Sequence, residues 1–123
     1  MKKLELSFDY GTYFIWLYEN GELIEPVGIS SNGYFYCEGF NELRKYPEKR
    51  LIGQTELESK VNFINEEYSK LFINNEYEFS YKGYDSEENE RRFYDAVKFV
   101  YEKLCELLED EYEIINNTSA NYR

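Results

Sequence analysis

Hydrophobic and polar side chains alternate at the start of the chain. In KLELSFDY, Leu4, Leu6, Phe8 and Tyr10 interleave with Lys3, Glu5, Ser7 and Asp9, the period of a half-buried strand. Gly11 allows a turn, and TYFIWLY is apolar on both faces, as a strand inside a sheet would be. Asn20-Gly21 suits a type I′ hairpin, because both positions tolerate positive φ. ELIE should then return antiparallel, with Pro26 limiting how far it pairs. A second Asn-Gly, Asn32-Gly33, precedes another strand at YFYCEGF, so residues 1–39 read as a β-meander. NELRKYPEKR, the locally basic stretch, reads as a loop or short helical turn, since Pro47 blocks a long helix.

Beyond Gln54 the period changes to that of a helix. Leu57, Val61, Ile64, Tyr68 and Leu71 recur at helical spacing, and Thr55 with Glu58 forms the T-x-x-E pattern of a reciprocal N-terminal cap. This predicts a helix near 55–73. YEFSYKGY returns to alternation through Tyr77, Phe79 and Tyr81, a strand. Asp85 and Glu88 repeat the capping logic before a second helix over 86–108, whose apolar stripe is Phe93, Val97, Val100, Leu104 and Leu107. EYEII reads as a short closing strand, and NNTSANYR as a frayed tail. The expected architecture is α+β: an antiparallel sheet of about four to six strands with two amphipathic helices packed on one face. A length of 123 residues suits a single domain.

Composition adds two features. Aromatic residues make up 20% of the chain, including 14 tyrosines and 9 phenylalanines, which supplies ample core material. The net charge of −11 repels nucleic acid and anionic membranes and favours a basic partner. Cys37 and Cys105 lie far apart without metal-ligand spacing; two free thiols in a reducing compartment is the expected state, with a disulfide still open from sequence. The start MKKLELSFDYG has no apolar segment after its lysines, and no stretch approaches a membrane span, so a cytoplasmic location is expected.

The catalytic inventory is nearly empty. With no histidine, Ser-His-Asp and Cys-His systems cannot be assembled, and the commonest metal ligand is missing. No glycine-rich phosphate loop occurs, and EDEYE lacks the ligand spacing and central glycine of a calcium loop. No catalytic, cofactor-binding or metal residue is assigned. Among 25 acids some carboxylate pair must be close by chance, so a small carboxylate-pocket enzyme or ligand-binding domain stays as an alternative of low specificity.

The second helix carries the candidate site. Arg91, Asp95, Lys98 and Glu102 fall at steps of three or four on its outer side and can partly compensate one another. After them Glu106, Glu109, Asp110 and Glu111 crowd the C-terminal end, where the helix dipole is already negative and each acid in the last turn would cost about 0.3–1 kcal/mol. Either the helix stops near Leu108 and leaves the acids in a solvated loop, or the cluster persists because a cation binds it. Tyr84, Tyr94, Tyr101 and Tyr112 would give such a site aromatic anchors. The candidate partner-binding residues are Tyr84, Asp95, Glu102, Glu106, Glu109 and Asp110.

FDYGTYFIWLYENGELIE, followed by INEEYSKLFINNEYEFSYKGYDSEENERRF, resembles small bacterial immunity proteins of polymorphic toxin systems, including those of contact-dependent growth inhibition. The similarity runs from about Phe8 to Leu108 and lies in texture and order of elements, with no motif whose residues carry over. It implies a small, acidic, cytoplasmic, non-enzymatic protein. Such a protein would bind a cognate toxin domain 1:1, a basic nuclease being the expected class, and cover its active site or a neighbouring surface. A phage-encoded acidic DNA mimic that inhibits a nuclease uses the same electrostatics and is the main alternative.

Overall fold

The computed structural model describes residues 2–9, 11–74, 79–81 and 86–118. The fold is α+β: a six-stranded, mostly antiparallel sheet and two helices. Strands β1 (Lys2–Leu6), β2 (Ile15–Glu19), β3 (Glu22–Ser30), β4 (Tyr34–Gly39) and β5 (Glu42–Pro47) form the meander. Helix α1 (Thr55–Ser69) follows, then the hairpin of β6 (Phe72–Asn74) and β7 (Phe79–Tyr81), helix α2 (Glu87–Leu108) and β8 (Tyr112–Asn116). The sheet order is β5-β4-β3-β2-β1-β8, with β8 parallel to β1 and β6–β7 forming a separate pair.

The alternation at the start of the chain is the alternation of the sheet. Leu4 and Leu6 of β1 face Leu17 and Ile15 of β2, and all four are buried. With Val27, Ile29 and Phe35 they meet Leu57, Val61 and Ile64 of α1 and Phe93, Val97, Val100, Leu104 and Leu108 of α2 in one core cluster. At the β2–β3 turn Asn20 (φ 56°) and Gly21 (φ 85°) both adopt the positive φ that a type I′ turn needs.

Several local expectations fail for identifiable reasons. NELRKYPEKR holds the expected short helical turn only at its end, as the 3₁₀ segment Lys49–Leu51; before it Glu42–Pro47 is not a loop but the outermost strand β5. Pro47 tolerates this because it sits at the end of an edge strand. Pro26 does not end its pairing either, since it stands opposite Trp16 within β3. There β3 has a partner on one side only, as β4 joins from Gly28 onward. The T-x-x-E cap is not formed. Gln54 is the N-cap, and the Glu58 carboxylate instead accepts from Ser31 Oγ at 2.8 Å. Ser86 caps α2 by accepting from the Asn89 N–H at 3.1 Å; Asp85 lies outside the described residues. Helix α1 ends at Ser69 rather than near residue 73, its last turn tightened by bonds from Lys70 N–H to Glu67 O and from Leu71 N–H to Tyr68 O. The start of the supposed tail is held: Asn117 N–H donates to Leu6 O at 2.8 Å, and Thr118 is buried.

The two ends of the sheet approach each other through Glu48 and Tyr112. Glu48, just past β5, accepts a hydrogen bond from the Tyr112 hydroxyl of β8 at 3.0 Å. The Phe35 ring of β4 lies 6.1 Å from the Tyr112 ring. Lys2, Leu17, Phe35, Tyr46 and Tyr112 enclose a small cavity of about 170 Å³ at this closure. Among the described residues, no helix is long and apolar enough to cross a membrane.

One close approach shapes the middle of the sheet. A Cβ on Gly28 would stand 2.6–2.9 Å from the ring and hydroxyl of Tyr36 opposite it, so only glycine lets Tyr36 lie across β3. Gly28→Ala should destabilise the fold by about 1–3 kcal/mol. Urea denaturation checks this, and the penalty should shrink when Tyr36 is also cut to alanine.

Candidate binding surface

Helix α2 sets out the candidate residues by its own geometry. Asp95, Glu102, Glu106 and Glu109 are separated by seven, four and three positions. At about 100° per residue they fall within an arc of roughly 60° and span roughly 21 Å along the axis. All four are exposed. The opposite side of the helix is the apolar stripe, so burying Phe93, Val97, Val100 and Leu104 is what turns the acids outward.

The expected compensation among Arg91, Asp95, Lys98 and Glu102 is not made as ion pairs. Among the described residues of α2, Lys103–Glu106 at 3.6 Å is the one such contact. Lys103 also lies over the Phe99 ring, 6.0 Å from its centroid. A groove of about 440 Å³ between the helices, lined by Phe63, Ala96 and Phe99 with Lys60, Arg92, Glu56 and Asp95 around it, adjoins the acidic stripe. That groove carries both signs of charge and converges no acids on one point.

The fifth candidate acid, Asp110, is already engaged. Helix α2 stops at Leu108, with Glu109 as its C-cap and Asp110 and Glu111 in the turn. Arg50 reaches this turn from the 3₁₀ segment. Its guanidinium bonds Asp110 at 2.6 Å, Glu111 and the Leu107 carbonyl at 3.3 Å, and its Nε bonds Glu48 at 2.9 Å. It thus supplies, from 57 residues away, the cation that the end of α2 lacks in its own sequence. Asp110 is therefore a structural acid as well as an exposed one, while Glu109 has no ion pair among the described residues.

Of the aromatic candidates, Tyr84 lies outside the described residues. Tyr112 is no anchor, because its ring is in the core and its hydroxyl is bound to Glu48. Tyr94 and Tyr101 are half-buried against the core. Phe99, which sequence reasoning passed over, is the ring that lies beside the acidic stripe. Its position two residues past Val97 gave no periodic signal for exposure.

The other polar centre is internal to the sheet. Glu25 of β3 takes both Nε and Nη2 of Arg44, at 3.0 and 2.7 Å, and also the Tyr46 hydroxyl. The Arg44 bonds, opposed by burial and aided by Tyr46, hold the Glu25 carboxyl down to about 2. Burial, then the bond to Glu25, pushes the Cys37 thiol up, so it is a protonated thiol at neutral pH and no nucleophile. Cys37 and Cys105 are both free. At the closure of the sheet burial tends to raise Glu48, but bonds from the Arg50 side chain and backbone and from Tyr112 outweigh it and hold the carboxyl below its ordinary value.

No protein-family model matches the chain, and no curated protein shows significant similarity to it. Residue roles here rest on geometry and charge alone. Among the described residues, no group of three or more cysteines and carboxylates is placed to hold a metal ion.

Two outcomes follow from these contacts. Arg50→Met strands the Glu48 carboxylate, 8% exposed, without its cation, and should cost about 2–3 kcal/mol of unfolding free energy by urea titration. Glu48→Gln in the same background should recover part of the loss. For pH, Glu25 and Glu48 both have depressed folded-state values, so the unfolded chain takes up their protons first. Their contribution is complete above the ordinary carboxylate range and is lost as pH falls from there toward about 2, the value for Glu25. Thermal midpoints measured down this range should drop, and less steeply in Glu25→Gln.

Proposed function

We propose that this chain is a cytoplasmic immunity protein that binds and neutralises a cognate toxin domain, a basic nuclease being the favoured class, in a 1:1 complex. The observation that carries the reading is the exposed stripe of Asp95, Glu102, Glu106 and Glu109 on α2, continued by the turn at Asp110 and Glu111. Among the described residues only Lys103 answers any of the four stripe acids as an ion pair, through Glu106, so Asp95, Glu102 and Glu109 face solvent as open anions. With a net charge of −11 behind it, this surface accelerates encounter with a basic protein and repels nucleic acid and anionic membranes. Arg50 tolerates close packing of acids at the end of α2 without the fold paying the whole repulsion. The resemblance of sequence texture to immunity proteins points the same way. Asp110 sits at the margin of the surface, divided between Arg50 and solvent.

The test is co-expression with the product of the adjacent gene, followed by pull-down and stopped-flow measurement of association at rising salt. Glu102→Lys, Glu106→Lys and Glu109→Lys together should slow association by about tenfold or more and flatten its salt dependence, with an unchanged circular dichroism spectrum. Unaltered association in the triple variant would remove the α2 surface from the reading. Failure of the neighbouring product to bind the unaltered chain would remove the immunity assignment itself.

A further inference from the structure

A second site stands apart from α2. A groove of about 510 Å³ runs between the loop at Gly11–Tyr13 and the C-terminal half of α1, with Pro26 in its wall and Glu38 at its rim. Its aromatic walls are fixed. The Tyr68 ring stacks on Phe8 at 4.7 Å, and Tyr13 meets Tyr36 edge-on at 5.9 Å. Tyr36 in turn is seated over Gly28.

The polar groups of this groove are committed in one direction. Thr12 Oγ donates to the Tyr13 carbonyl at 2.7 Å, and Ser69 Oγ donates to the Glu66 carbonyl at 2.8 Å. With those protons engaged within the chain, what these hydroxyls still offer is lone pairs. Glu38 is exposed and makes no ion pair among the described residues. Burial first, then the neighbouring Tyr36 and Glu38, pushes Tyr13 up to about 12, so its ring stays a neutral phenol at physiological pH. Asn65 is the exception: its carboxamide oxygen accepts from the Phe14 N–H at 3.1 Å, which leaves its NH₂ as a donor.

A mostly apolar groove with flat rings and a proline in its walls, one carboxylate at its rim and hydroxyl lone pairs beside it, calls for a particular ligand. Such a ligand is cationic, rich in donors and flat enough to lie on a ring. Guanidinium has five N–H donors, no acceptor and a planar face that stacks on aromatics; an ammonium has the charge without the plane. We infer that the groove beside Tyr13, Pro26, Glu38 and Tyr68 is a binding site for a guanidinium group, as carried by an arginine side chain of a protein or peptide. Glu38 takes the charge, the Thr12 and Ser69 oxygens accept further N–H groups, and the rings cover the apolar stem. The site uses no residue of the α2 surface, and its test needs the chain alone, so either assignment can fail without the other.

The experiment titrates the ¹⁵N-labelled chain with N-acetyl-arginine amide and follows amide shifts by NMR. Saturable shifts are expected around Tyr13, Glu38 and Ser69. The citrulline analogue, which keeps the shape and loses the charge, should bind about tenfold or more weakly, as should the arginine analogue with Glu38→Gln. Glu102→Gln on α2 should leave the titration unchanged, and the free Glu38→Gln spectrum should report an intact fold. Equal binding of citrulline, indifference to Glu38→Gln, or shifts confined to α2 would each overturn the site.

Discussion

Arg50 holds together parts of the fold that would otherwise separate. One guanidinium bonds the carboxylate that follows β5, the Leu107 carbonyl near the end of α2 and the acids of the turn into β8. Those three places are the far edge of the sheet, the end of the long helix and the start of the other edge strand. The Tyr112 hydroxyl bonds the same Glu48, so the closure is polar at its rim and aromatic beneath, where Phe35 and Tyr112 approach. Approach of the two ends brings the sheet's inner side chains within reach of both helices, which explains how a chain of this size collects them into one core cluster.

Much of this was legible where a local rule was the whole cause. The period of two through Leu4 and Leu6, the Asn20-Gly21 turn and most of both apolar stripes needed only neighbours in sequence and are found. Leu71, however, falls past the end of α1, and Leu108, not Leu107, is the core leucine at the end of α2. The failures share a different origin. The stretch holding β5 was read as a loop or short helical turn because Pro47 blocks a long helix, yet an edge strand accepts a proline at its end and the basic Arg44 and Lys45 within it. The capping box at Thr55 was read from spacing, and lost because Ser31, far upstream, offered Glu58 a better bond. Long-range competition of that kind leaves no mark on a local pattern.

The surface shows the same division. That Asp95, Glu102, Glu106 and Glu109 share a side of α2 follows from helical arithmetic and is what the structure has. That Asp110 belongs with Arg50, and Tyr112 with Glu48 and the core, follows from the closure of the sheet and could not be seen without it. The groove at Glu38 was invisible for a similar reason: its walls come from a loop, two strands and a helix that no spacing rule joins. The crowding of acids at the end of α2 pointed to that surface, whereas Glu38 is one acid among 25 and nothing in its charge set it apart.

The pairing of β8 with β1 carries a consequence for synthesis. Lys2 lies opposite Tyr112, 110 positions later. During translation β1 can zip up with β2 almost as soon as both emerge, but its other edge has no neighbour until α2 and the segment after it have left the ribosome. Until β8 emerges the nascent chain therefore exposes the main-chain donors and acceptors along one side of β1. Lys2, Lys3 and Glu5 are the charges that stand guard over that unfinished edge.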